Sequence, residues 1–272
     1  MSEKVVLIVG ATGGIGATLA RKLAVNGHKL VLVARNADNL SNLASELGCP
    51  SLIVPTDITN PTQVETLMEK IVSHYGRLDV LVNAAGAGVM KQYNKITPED
   101  LDKMLDLNLK GSFYTCQAAA NVMKENKYGH ICNVVGILGK HSMAMAAAYC
   151  ASKYGVVGFS KCLADELKRY GIKMTLFYFG GVDTPFWDQV SLKVDRTKML
   201  TAQTAADAIY FAMNAEPQAV PMEINIQPDS HLFISYQLSV ISYQLSVISY
   251  QLSVISYQLS VISYQLSVIS YQ

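Results

Sequence analysis

Tyr149 and Lys153 stand four apart in the run AAYCASK. On a helix that spacing puts both side chains on one face. A free phenol, with a pKa of about 10, is a poor proton-transfer group at neutral pH. A neighbouring ammonium stabilises its phenolate and makes it a usable acid or base. A second chemistry is signalled near the start, where VLIVGATGGIG sets Gly10, Gly14 and Gly16 behind an apolar run. Glycines there let the backbone turn tightly and approach a pyrophosphate held at the positive end of the following helix. Arg35 ends the next apolar run, VLVAR. An acidic residue there would bind a ribose 2′-hydroxyl, whereas a guanidinium favours a 2′-phosphate, and so NADP(H) over NAD(H). Asp38, further on, fits the dipole at a helix start.

These groups need a scaffold, and the apolar pattern supplies one. Short apolar runs at 4–9, 29–34, 51–55, 78–82, 130–135, 172–178 and 219–226 read as strands. A helical stretch from the glycines to about Asn26, and amphipathic segments at about 38–47, 61–75, 98–126, 149–170 and 202–214, alternate with them. Strands apolar on both faces and separated by helices predict a parallel sheet covered on both sides. Right-handed crossovers then give an α/β, doubly wound, Rossmann-like fold of about seven strands. No linker composition interrupts residues 1–233, which read as one domain.

GATGGIG after the first strand, Asp57 after the third, NAAG at Asn83–Gly86 after the fourth, Asn108 in DLNLKGSF and YCASK at 149–153 follow one another in order. Together they resemble the short-chain dehydrogenase/reductase family, over roughly residues 4–228. The resemblance implies an NADPH-dependent oxidoreductase that interconverts a carbonyl and an alcohol by hydride transfer. It implies Tyr149 as the acid/base, Lys153 as the group that lowers its pKa and holds the nicotinamide ribose, and Asn108 as support for the lysine through a water. It also implies cofactor contacts from Gly10, Thr12, Gly14, Ile15, Gly16, Arg35, Asp57, Ile58, Asn83, Ala84, Gly86, Val182 and Thr184, alongside Tyr149 and Lys153.

The family places a substrate-binding serine thirteen residues before the tyrosine; that position is Gly136, preceded by Val135. Losing one such donor costs about 10²–10³ in kcat. His141 or Ser142, on the loop before the tyrosine helix, are the candidate replacement donors. Val9 and Phe179 also depart from the pattern, standing where the family has threonine and proline. Residues 186–203 coincide with the family's substrate lid. Phe186, Trp187, Met143 and Met145 predict an apolar pocket for a small carbonyl or alcohol. The lack of an arginine cluster there argues against an acidic or carrier-bound substrate. The competing reading is a protein that binds NADP(H) without turnover, as a sensor or partner subunit.

The bulk numbers agree with a globular protein. Of 272 residues 50% are hydrophobic, and the net charge is +1 without a run of either sign, so neither nucleic acid nor an anionic membrane is an expected partner. MSEKVVLIVG leads directly into a strand, without a basic and apolar leader, and no apolar run is long enough for a bilayer. Cys49, Cys116, Cys132, Cys150 and Cys162 are odd in number and lack metal spacing, which predicts reduced thiols, no metal and a cytoplasmic protein. The family resemblance implies a homodimer or homotetramer.

From Ser235 the unit SYQLSVI repeats without variation to Gln272. Leucine and isoleucine recur at 4-3 spacing, but serine, tyrosine and valine are poor helix formers, and no charge appears. The seven-base unit TCAGTTA, read in all three frames in turn, encodes Ser-Val-Ile-Ser-Tyr-Gln-Leu. Residues 234–272 are therefore expected to be a translated DNA repeat without function. Identical codons in every copy would bear this out, and synonymous variation would count against it. Uncharged, β-prone and without proline, such a tail is an aggregation hazard.

Overall fold

The computed structural model describes residues 3–190, 192, 194–230, 246–260 and 262. The chain divides into two units, Met1–Pro228 and Asp229–Gln272. In the first, strands β1 (Val5–Val9), β2 (Lys29–Val33), β3 (Ser51–Ile53), β4 (Val80–Asn83), β5 (Gly129–Val134), β6 (Ile172–Phe179) and β7 (Glu223–Ile226) alternate with helices. They form one sheet in the order β3-β2-β1-β4-β5-β6-β7, every pair parallel. The order reverses between β1 and β4, so a crevice is expected beyond the carboxyl ends of those two strands.

Alternation along β1 shows how the sheet is covered on both sides. Val6 and Ile8 pack with Leu19, Leu23 and Ile209, from α1 (Gly14–Val25) and α7 (Ala202–Met213). Val5, Leu7 and Val9 pack with Val64, Leu67, Ile71, Cys116 and Met123, from α3 (Pro61–Tyr75) and α5 (Ser112–Asn126). Successive strand residues face opposite layers, which is why these runs carry no polar alternation.

Local signals set the helix starts. Asn36 caps α2 (Ala37–Leu47) by accepting from Asn39 N, and Asp38 lies in its first turn as expected. Asn60 caps α3 ahead of Pro61, and Gly76 closes it in the left-handed region. Thr97 and Asp100 form a capping box for α4 (Pro98–Met104).

Two predicted elements differ. The segment 98–126 is three pieces, because a π-helical turn at Leu105–Gly111 separates α4 from α5. The last strand is shorter than 219–226, since Pro221 has no N–H to give and the ladder begins where Leu176 N meets Met222 O. The remaining helix, α6, runs Ala147–Leu167.

In the second unit residues 246–260 are helical, against the reading that serine, tyrosine and valine disfavour a helix. Within it the Ser253 and Ser260 hydroxyls donate back to the Tyr250 and Tyr257 carbonyls, each at 2.7 Å. The rest of the predicted repeat tail (234–245, 261 and 263–272) lies outside the described residues, as do residues 191 and 193 of the expected lid. Among the described residues no helix is long and apolar enough to cross a membrane. None of their His, Cys, Asp and Glu side chains group to hold a metal.

Candidate active site

The glycine turn is shaped by two close approaches. Gly10 has φ +82°, and a β-carbon on it would come within 2.6 Å of Ala85 N. One on Gly16 would meet the Gly10 carbonyl oxygen at 2.2 Å. The turn is tied sideways to β2, since Gly10 N and Ala11 N both donate to Val33 O. Helix α1 then starts at Gly14 with no side-chain cap and no acidic residue in its first turn. Its leading N–H groups are an anion cradle. Thr12 and Ile15 sit half-buried on this turn. Arg35, two residues beyond Val33, is exposed and makes no ion pair among the described residues, leaving its guanidinium free at the rim.

Along the crevice, the other predicted contacts fall into two groups. Gly86 is exposed and Ala84 half-buried beside the glycine turn, and Thr184 reaches over it: a β-carbon on Gly14 would meet Thr184 Cγ2 at 2.4 Å. Val182, buried, is bridged to Leu200. Asp57 uses one carboxylate oxygen to accept from Thr59 N and Thr59 Oγ1. The side chains of Ile58 and Asn83 turn inward instead. Ile58 fills the space beside Gly111, and Asn83 donates to Asn133 Oδ1 at 2.9 Å while accepting from Thr115 Oγ1.

Tyr149 lies in the first turn of α6 and Lys153 one turn on. The Lys153 ammonium lies 5.7 Å from the Tyr149 ring centre and donates to Val134 O at 3.3 Å. It also faces Gly86, where an added β-carbon would be 3.6 Å from Nζ. Lys153 is 5% exposed, and burial lowers it from 10.5 to about 8. Tyr149 moves the other way: burial pushes the phenol above its usual value, and Cys150 adds to the rise. The expected lowering by the ammonium is therefore not met in the protein alone. Desolvation of the phenolate outweighs a cation that is itself desolvated.

Asn108 is fully buried in the π turn. Its Oδ1 accepts from Ala87 N, and its Nδ2 donates to Ala87 O and Ser152 Oγ, all at 2.9–3.0 Å. The carboxamide thus clamps the strand-β4 loop to α6, and Ser152 returns a 2.7 Å bond to Tyr149 O.

Gly136 stands at the carboxyl end of β5 with φ +88° and ψ 161°. A β-carbon there would lie 3.6 Å from the Tyr149 hydroxyl and 3.9 Å from Phe179 O, with nothing else within 4 Å. Residue 136 therefore stands beside the phenol. Of the replacement donors, Ser142 is exposed and makes no hydrogen bond among the described residues, while His141 follows the 3-10 turn at Ile137–Gly139, its N bonded to Ile137 O.

With this geometry in view, comparison with known proteins decides the family. Residues 4–195 match the short chain dehydrogenase family. An oxidoreductase of Staphylococcus epidermidis is 32% identical over 228 residues, 84% of this chain and 98% of that one. One of Staphylococcus aureus strain USA300 is 34% identical over 229 residues, again 84% and 98%. The chain belongs to the short-chain dehydrogenase family. Among solved structures, an alcohol dehydrogenase from Thermococcus sibiricus complexed with 5-hydroxy-NADP superimposes with TM-score 0.78 at 24% identity, over 85% of this chain and 98% of that one. A metagenomic short-chain oxidoreductase in complex with NADP gives 0.73 at 28% identity, over 83% and 96%.

A segment after β6 packs against Tyr149. The Phe186 ring lies 6.1 Å from the Tyr149 ring, and a β-carbon on Gly88 would strike it. Trp187 packs edge-on to Phe186 and donates to Val182 O at 2.9 Å. Met143 is half-buried and Met145 exposed at φ +69°. Arg196 binds Asp183, Asp188 and Thr184 O, holding both ends of that segment together. Sequence reasoning missed Gly88, Ser152 and Arg196. Ser152 lies inside the YCASK motif itself, and its place one turn after Tyr149 was the available signal; nothing in the sequence marked Gly88 or Arg196.

Proposed function

We propose that this short-chain dehydrogenase reduces an apolar ketone or aldehyde with NADPH, Tyr149 acting as the acid. The observation that carries the reading is Tyr149 beside the buried Lys153, whose ammonium faces Gly86 at the mouth of the glycine turn. The free Arg35 at the rim supports NADP(H), as do relatives crystallised with NADP. A bound nicotinamide supplies the hydride. The cradle at Gly14–Gly16 holds the pyrophosphate, and Asp57 and Thr184 flank the groove. Tyr149 is protonated at neutral pH and donates to the carbonyl oxygen as negative charge develops there, a transfer its raised pKa opposes and the Lys153 cation assists. Lys153 stabilises the resulting phenolate, and Asn108 and Ser152 hold the helix that carries both.

Oxidation of NADPH against a panel of apolar ketones and aldehydes tests this, with Tyr149→Phe as control. Turnover falling by about 10²–10⁴ in the variant, with NADPH binding unchanged, is the expected result. Equal turnover in the variant would remove Tyr149 from the mechanism.

Gly136 favours a second reading, a protein that binds NADP(H) without turnover and serves as a sensor or partner subunit. Tight NADPH binding with no oxidation by any carbonyl would establish it. In either reading the chain works in the cytoplasm as a homodimer or homotetramer, and the repeat from Ser235 takes no part. Sedimentation of the protein checks the assembly.

A further inference from the structure

Gly136 does more than remove a side chain. Its φ of +88° with ψ 161° belongs to a region populated essentially by glycine alone, so the backbone itself has left the conformation a serine would need. Around the missing side chain lie one donor, the Tyr149 hydroxyl at 3.6 Å, and one acceptor, the Phe179 carbonyl at 3.9 Å. The flanking side chains are the apolar Val135 and Ile137, both buried, and Gly136 N is already bonded to Phe177 O. A carbonyl oxygen seated against Tyr149 therefore receives a single hydroxyl from this wall, next to a position with room for a β-carbon.

A site with one donor fewer stabilises a developing alkoxide less, by about 10²–10³ in rate. An electron-withdrawing group on the adjacent carbon lowers the basicity of that alkoxide within the substrate itself. Such a group also needs room beside the reacting carbon, which is what the glycine leaves. We propose that Gly136 makes the site selective for activated carbonyls, α-dicarbonyl compounds such as α-ketoesters, whose second carbonyl occupies the space above Gly136. This rests on the carbonyl-reductase reading above. The step balances as for any ketone: hydride from NADPH forms the C–H bond, the Tyr149 proton goes to oxygen, and NADP⁺ and a 2-hydroxy ester leave.

Ethyl benzoylformate and valerophenone carry the same aryl group and chains of matching length, so they differ mainly in activation. Their kcat/KM ratio with the full-length protein and NADPH is compared with the ratio of their rates with free borohydride, which reports intrinsic reactivity. The enzymatic ratio is expected to exceed the chemical one by about 10-fold or more, the discrimination one fitted group gives in a pocket. A ratio equal to or below the chemical one, with valerophenone turned over, overturns the selectivity while leaving carbonyl reduction standing. Failure of both substrates, with NADPH binding retained in a fluorescence titration, overturns both.

Discussion

The buried ammonium of Lys153 should make the protein less stable than it would be without it. Burial lowers Lys153 from 10.5 to about 8, and its one hydrogen bond, to Val134 O at 3.3 Å, is long. Below about pH 8 the side chain is charged in both the folded and unfolded chain, and the folded state carries the whole desolvation penalty. The gap between the two pKa values corresponds to about 3 kcal/mol. Between about pH 8 and 10.5 the unfolded chain holds the proton more tightly, so folding releases it and wild-type stability rises with pH. Lys153→Met keeps most of the volume and deletes the charge. In the absence of cofactor the variant should be more stable than wild type at pH 7 by up to about 3 kcal/mol, with the gap closing from pH 8 upwards. Urea unfolding at pH 7, 8, 9 and 10 measures it, and NADPH should then stabilise the wild type more than the variant. A variant that is less stable at pH 7, or a difference that does not change with pH, would refute the argument. The ammonium would then be held by interactions that outweigh its desolvation.

Three further outcomes are expected. Arg35→Ala should raise the Kd for NADPH about 10- to 100-fold, the loss of one charged hydrogen-bond partner, while leaving NADH binding alone, as isothermal titration would report. Gly136→Ala should destabilise the fold by about 1–3 kcal/mol, read as a fall in melting temperature, because any β-carbon meets the positive φ. His130, buried with its Nε2 against Thr175 Oγ1, is lowered from 6.5 to about 3, so the unfolded chain protonates first and stability is lost as pH falls below 6.5 towards 3. His130→Asn should flatten that acid limb, by about 1.4 kcal/mol per pH unit, when urea curves at pH 7 and 4.5 are compared.

The sheet was legible because β1, and β2 beyond Lys29, are buried on both faces and continuously apolar in sequence, while β4 and β5 are mostly so. The two-faced core, the glycine turn and the Tyr149–Lys153 face followed from period and spacing alone. The π turn at Leu105–Gly111 did not, since a helix with one extra residue per turn keeps much the same apolar pattern. What creates it is long-range: Asn108 must reach the backbone of Ala87, twenty-one positions away. The direction of the Tyr149 shift was also hidden, because it depends on how completely neighbouring elements exclude water. The conformation of Gly136 was hidden for a related reason. Sequence records that a side chain is absent, not that the backbone has turned to a form that excludes one.

Whether a glycine at 136 also displaces Tyr149, the proposed acid, depends on what holds α6, and here the buried polar residues matter. Asn83 in β4 donates to Asn133 in β5, Asn133 donates to Ser160 in α6 at 2.9 Å, and Thr115 and Cys116 in α5 bond the same two asparagines. All five side chains are buried, so a helix displaced from this position would leave unpaired polar atoms in the core, each costing about 1–3 kcal/mol. A second tie runs from Ala87 through Asn108 and Ser152 to the Tyr149 carbonyl. Neither tie passes through residue 136. The tyrosine and lysine are thus held by the scaffold and not by the wall beside them, so under the proposed mechanism a glycine in that wall would subtract a donor from the reacting oxygen without moving Tyr149.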